Sequence, residues 1–126
     1  CTNQALCATA ATVYMSLLGK IGLRKIALLS AEKAQELSEK IFSREGFEPY
    51  FKAPFVREFP VKTPQPAKEI IESLVKQGIL PGISAGRWYS GMDDCLIAAA
   101  TEKRTGQEIT RFTDGLKKAA SKSVMS

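Results

Sequence analysis

Histidine is absent from all 126 residues. That removes hydrolase triads of the usual kind, His-ligated zinc and His acid/base chemistry from this segment. The three cysteines are Cys1, Cys7 and Cys95. None forms a Cys-x-x-Cys pair, so zinc ribbons and thioredoxin-like motifs are not expected. Wide spacing and an odd count fit reduced thiols in a cytoplasmic protein. Cys7 and Cys95 stand in apolar surroundings and are read as small buried hydrophobes. Asp93-Asp94 offers two adjacent carboxylates without further oxygen ligands, which reads as a solvated turn rather than a cation site.

Three polar groupings remain. Arg87 and Tyr89 sit among glycines, where backbone approaches a partner closely. Arginine donates in a bidentate fork to carboxylate or phosphate. The plainer reading is an arginine in a surface turn, with Trp88 and Tyr89 filling the core. Glu102 and Arg104 follow an apolar run and precede a helix start. They read first as a local ion pair, with Lys103 solvated between them. Thr105-x-x-Glu108 is a capping-box pattern. Asn3 and Gln4 stand where a first helix needs a cap.

The periodicity predicts the elements that place these groups. Asn3 to Leu18 reads as a helix closed by Gly19. A second helix runs from about Gly22 to Phe42, with Leu23, Ile26, Ala27, Ala34, Leu37 and Ile41 as its buried stripe. Phe47–Phe51 and Phe55–Val61 read as neighbouring antiparallel strands, with Pro60 marking an edge or a strand end. Ala67 to Gln77 is a helix closed by Gly78. Ile83–Tyr89 is irregular or a weak strand. Cys95–Ala100 fits a buried central strand. The capping box opens a helix carrying Ile109, Phe112, Leu116 and Ala119. The expectation is an α+β fold: two N-terminal helices, then a small antiparallel or mixed sheet with helices on one face. The first two helices are longer than that sheet needs and are expected to pack against something outside it.

Composition agrees with one domain: 44% hydrophobic and 25% charged. No stretch is read as approaching the ~18 apolar residues a membrane helix needs, and no signal peptide is read at the start. Net charge is +5, but the basic residues are scattered on helix faces among glutamates, so a nucleic-acid groove is not expected. Phe55–Phe59 faintly resembles an aromatic RNA-binding strand without its glycine lead-in. The chain opens on Cys1 directly into helix-like sequence, and we expect a segment of a longer chain.

Four segments in register carry a resemblance. They are Cys1-Thr2-Asn3-Gln4-Ala5-Leu6, Leu17-Leu18-Gly19-Lys20-Ile21-Gly22-Leu23-Arg24, Gly86-Arg87-Trp88-Tyr89 and Thr101-Glu102-Lys103-Arg104-Thr105. Over essentially the whole chain it resembles the C-terminal region of glycine dehydrogenase (decarboxylating), the P-protein of the glycine cleavage system, and most of all subunit 1 of the two-subunit form. The resemblance implies the small C-terminal domain of an aspartate-aminotransferase-like, type I pyridoxal phosphate enzyme. It implies residues 1–44 as a helical segment leading from a large domain, 45–120 as the small domain and 121–126 as a tail.

The resemblance also implies a reaction: glycine is decarboxylated with pyridoxal phosphate, and the aminomethyl group passes to the lipoyl arm of the H-protein. The lysine that holds the cofactor follows a histidine and belongs to subunit 2. No lysine here matches it, so no cofactor, metal or catalytic residue is expected in this segment. Asn3, Gln4, Arg87, Tyr89, Glu102 and Arg104 are expected as domain-junction or subunit-interface contacts. The expected partners are subunit 2 in a heterotetramer, the lipoylated H-protein and the chain's own large domain, without nucleic acid or membrane. A small-molecule-binding regulatory α+β module stays open as the alternative.

Overall fold

The computed structural model describes residues 3–121. Helix α1 spans Ala5–Phe42, β1 Glu48–Pro49, β2 Glu58–Lys62 and α2 Ala67–Val75. Strand β3 is Ile83–Ser84, followed by a 3-10 turn at Ala85–Arg87. Strand β4 is Cys95–Ala99, and α3 is Gly106–Ser121. The strands lie in the order β1-β2-β4-β3, and every pairing is antiparallel. This is the expected α+β architecture. Of the expected tail, residues 122–126 lie outside the described residues.

Alternation builds the core. Phe59 pairs with Ala98 and Val61 with Leu96. In a strand these positions share one face, and all four are buried. They meet Ile70 and Leu74 of α2, Ile109 and Leu116 of α3, and Ala34, Leu37 and Ile41 of α1 in one cluster. The three helices therefore cover a single face of the sheet. Helix α3 begins where the sequence places it. The Thr105 N–H donates to Glu108 Oε2 at 2.8 Å, and the Glu108 N–H donates to Thr105 Oγ1 at 3.2 Å.

The two expected N-terminal helices form one element broken at Gly19, whose φ of 61° and ψ of −176° leave the helix. A positive φ suits glycine, which carries no β-carbon. The break sets off an arm, residues 5–18, from the rest of α1, which is buried on the domain from Ser30 onward.

Four expectations need correction. The stripe of the second helix begins later than predicted: Leu23 and Ala27 are exposed and Ile26 half-buried, while Ser30 and Ser38 lie inside. Pro60 lies in central strand β2, not at an edge. It is tolerated because its carbonyl faces β1, accepting from the Tyr50 N–H at 3.2 Å. The missing N–H thus points to the side where two-residue β1 has already ended. Cys7 is exposed, on the arm, whereas Cys95 is buried as expected. Burial, then the nearby Asp94 carboxylate, pushes the Cys95 thiol up.

The fourth correction concerns apolar length. An 18-residue window of α1 reaches a mean hydropathy of 1.4, enough by length and composition to cross a membrane, and none of it is buried. Alanine, threonine and serine interrupt the apolar run without lowering its average far. Helices buried inside proteins share this composition.

Candidate functional site

The arm exposes a run of apolar side chains. Residues 1–19 contain no charged side chain. Leu6, Val13 and Leu17 follow helical spacing along one side and are exposed, as are Tyr14 and Met15 around the helix. Ala5, Thr9, Thr12 and Ser16 form a small-residue side. Its threonine hydroxyls donate back to the helix, Thr9 to the Ala5 carbonyl and Thr12 to the Ala8 carbonyl, both at 2.9 Å. An uncharged helix with apolar residues around most of its circumference and small residues on the rest has the composition of one enclosed by protein or lipid. Beyond the break, Ile21 is 84% exposed, equal to Leu6. At the arm's tip, Asn3 Oδ1 accepts from the Ala5 N–H at 3.0 Å, so Asn3 serves the helix start. Gln4, exposed at the cap position, makes no capping bond with its side chain.

A second feature ties α1 to the loop after β4. The buried Ser30 hydroxyl donates to Glu102 Oε2 at 3.1 Å. The Glu102 N–H donates to the Ser30 oxygen at 3.3 Å. The expected local ion pair is differently made: Arg104 pairs with Glu108 at 3.3 Å, one helical turn on, not with Glu102. Lys103 is exposed. In that box the Thr105 N–H, then the Thr105 hydroxyl, holds the Glu108 carboxyl below its ordinary value, with a smaller contribution from Arg104.

Arg87, Trp88 and Tyr89 lie at the other end of β4, about 17 Å of strand away. The Trp88 and Tyr89 N–H groups donate to the Ala85 carbonyl at 2.9 and 3.0 Å. Trp88 and Tyr89 do not fill the core; both are more than half exposed. The Arg87 guanidinium lies 5.2 Å from the Trp88 ring centroid. The six expected contact residues therefore form three separate groups: Asn3 and Gln4 at the arm's tip, Glu102 and Arg104 beside α1, Arg87 and Tyr89 on the exposed loop.

Sequence reasoning missed Ser30, a serine inside a helix stripe. Its only signal was its position, four residues before Ala34 on the buried side. The chemistry of a reaction centre is thin here. Among the described residues no three His, Cys, Asp or Glu side chains gather as a metal site. Every described lysine is exposed or half-buried, so none has the desolvated pocket a Schiff-base lysine needs. The cleft between β1, the 63–66 turn and Asp93-Asp94 is open rather than enclosed. In the Phe55–Phe59 segment, Phe59 is 2% exposed and faces the core, so its ring is not presented for stacking on a base.

Comparison with known proteins bears on what the arm and loops belong to. The family model for the glycine cleavage system P-protein matches residues 1–116. A probable glycine dehydrogenase (decarboxylating) subunit 1 from Maridesulfovibrio salexigens is 41% identical over 117 residues, covering 93% of this chain and 26% of its own. One from Carboxydothermus hydrogenoformans is 45% identical over 116 residues, covering 92% of this chain and 26% of its own. A crystal structure of glycine decarboxylase (P-protein) of the glycine cleavage system, in inhibitor-bound form, superposes with a TM-score of 0.87 at 28% identity, over 94% of this chain and 27% of that one. The chain thus spans about a quarter of the length of these relatives. On the family match over nearly all of its length, the chain belongs to the glycine cleavage system P-protein family.

Proposed function

We propose that this chain is the C-terminal domain of P-protein subunit 1, and that it builds the enzyme's architecture rather than its chemistry. The observation that carries the reading is the arm: a family member spanning a quarter of its relatives' length exposes an uncharged helix with apolar residues around most of its circumference. Such a surface is stable when other parts of the enzyme cover it. Residues 1–44 then lead from the large domain, and 45–120 form the small domain.

The whole enzyme decarboxylates glycine and passes the aminomethyl group to the lipoyl arm of the H-protein. Pyridoxal phosphate serves there as an electron sink for the carbanion left when carbon dioxide departs. The surface lysines described above do not fit as holders of that group, and we place it on subunit 2, in a heterotetramer. Arg87 and Tyr89 on the exposed loop, Gln4 at the arm's tip, and Glu102 and Arg104 beside α1 are our candidate junction and subunit contacts; Asn3 contributes through the helix start. Unpaired Cys7 and Cys95 suit a cytoplasmic enzyme.

The test is glycine-dependent carbon dioxide exchange by the full-length subunit 1 with subunit 2, pyridoxal phosphate and lipoylated H-protein. Exchange is expected with the intact chain and lost when residues 1–126 are removed. Leu17→Glu, which changes an 82% exposed side chain, keeps the domain folded and weakens exchange. Full exchange without residues 1–126, or with Leu17→Glu, overturns the architectural role. No exchange by the intact complex overturns the assignment of activity.

A further inference from the structure

We propose that Glu102 is a positioning residue, which fixes through Ser30 the direction in which α1 leaves the domain and so seats the arm on the rest of the enzyme. The proposal rests on the architectural role argued above and names the device that serves it.

Ser30 is where α1 changes character. Toward the C-terminus, Ala34, Leu37, Ser38 and Ile41 are buried; toward the N-terminus, Leu28, Leu23, Ile21 and Leu17 are exposed. The last buried residue before the free length is therefore the one bonded to Glu102, 72 positions along the chain. The bond is reciprocal. One contact uses the Glu102 carboxylate and the other its backbone N–H, so both the side chain and the loop are held. The loop itself continues β4, which lies between β2 and β3 in the sheet, and leads into the capping box of α3. A helix is a stiff lever, rising ~1.5 Å per residue. From Ser30 to Ala5 the lever is roughly 38 Å long, less what the Gly19 break folds back. A small tilt at Ser30 becomes a shift of several ångströms at the tip. Among the described residues, the Ser30–Glu102 pair supplies the only side-chain hydrogen bonds between α1 and the loop after β4.

Two native cysteines make the test direct. Cys7 is exposed on the arm and Cys95 buried in the sheet. In full-length subunit 1 carrying Cys1→Ser and assembled with subunit 2, maleimide labelling of each is read by peptide mass spectrometry. The architectural role predicts Cys7 protected in the otherwise unchanged chain. Removing a buried polar contact should raise Cys7 labelling about 10-fold in Glu102→Ala and in Ser30→Ala. Glu102→Gln, which keeps an oxygen acceptor and the backbone bond, should restore most of the protection. Cys95 should stay protected throughout, separating arm release from unfolding.

Rapid Cys7 labelling before any change at Glu102 overturns the docking reading itself. Protection that persists in Glu102→Ala and Ser30→Ala overturns the positioning role alone. Equal exposure of Cys7 and Cys95 in both variants assigns the pair to general stability and likewise overturns it.

Discussion

Gly86 rests directly on Asp93: a β-carbon built at residue 86 would lie 2.6 Å from the Asp93 carboxylate oxygen Oδ1 and 2.9 Å from its Cα. The second contact is with backbone, which cannot swing aside. Gly86→Ala therefore pushes apart the loop that presents Arg87, Trp88 and Tyr89. We expect a loss of about 1–3 kcal/mol, read as a lower urea midpoint. Trp88 is the single tryptophan, so its fluorescence reports the same displacement in the native state. An unchanged midpoint and spectrum would show that the loop has room the geometry denies.

The capping box makes a pH prediction with a definite sign. The Glu108 carboxyl is held below its ordinary value of 4.5. A lowered folded-state pKa stabilises fully above pH 4.5, and the stabilisation is lost as pH falls through the lower folded value. Thermal melts taken from about pH 6 down to about pH 2 should show Tm falling on acidification. Glu108→Gln should flatten part of that slope. Glu36, held low by Lys33 and then Lys40, contributes a slope of the same sign that this variant leaves in place. Thr105→Ala should cost about 1 kcal/mol at neutral pH. Parallel curves for Glu108→Gln and the parent would remove the box from the acid response.

Residues 1–126 expressed alone should self-associate through the arm, because patches of this kind seek cover. Replacing Leu17 and Ile21 together by glutamate should shift the population toward monomer in sedimentation velocity. Both side chains are more than four-fifths exposed, so stability should change by less than about 0.5 kcal/mol per substitution. A parent chain that is already monomeric at high concentration would refute the patch argument.

Leu96 tests the core. It lies in β4 without exposure, opposite Val61, and faces the helix layer. Leu96→Ala should destabilise by about 2–5 kcal/mol. A smaller loss in chemical denaturation would mean that the helices close over the cavity.

Local chemistry made most of this fold legible from the residues. Thr105 and Glu108 announce a helix start by themselves, and the break falls at Gly19, the glycine read as closing the first helix. Cys95–Ala100 reads as a central strand because all six residues are apolar and unbroken. The misreadings came from tertiary context. Pro60 looks like an edge because its own backbone lacks a donor, yet the neighbour on that side is simply too short to need it. Cys7 and Leu23 look buried because apolar patterning reports what a helix is suited to, not what covers it in this chain. Trp88 and Tyr89 erred the same way. At the candidate site, the types Arg87 and Glu102 were legible while their partners were not. Nothing local links Glu102 to a serine 72 positions away.

That separation also orders events during synthesis. Strand β2 cannot be paired on its inner side until Cys95–Ala99 has been made, and Leu116 completes the same core. On the ribosome, the uncharged first segment therefore emerges while nearly the whole domain is still unmade. It waits without a lock at Ser30 until residue 102 has cleared the exit tunnel. Until then the arm's apolar side chains have no finished small domain of their own behind them.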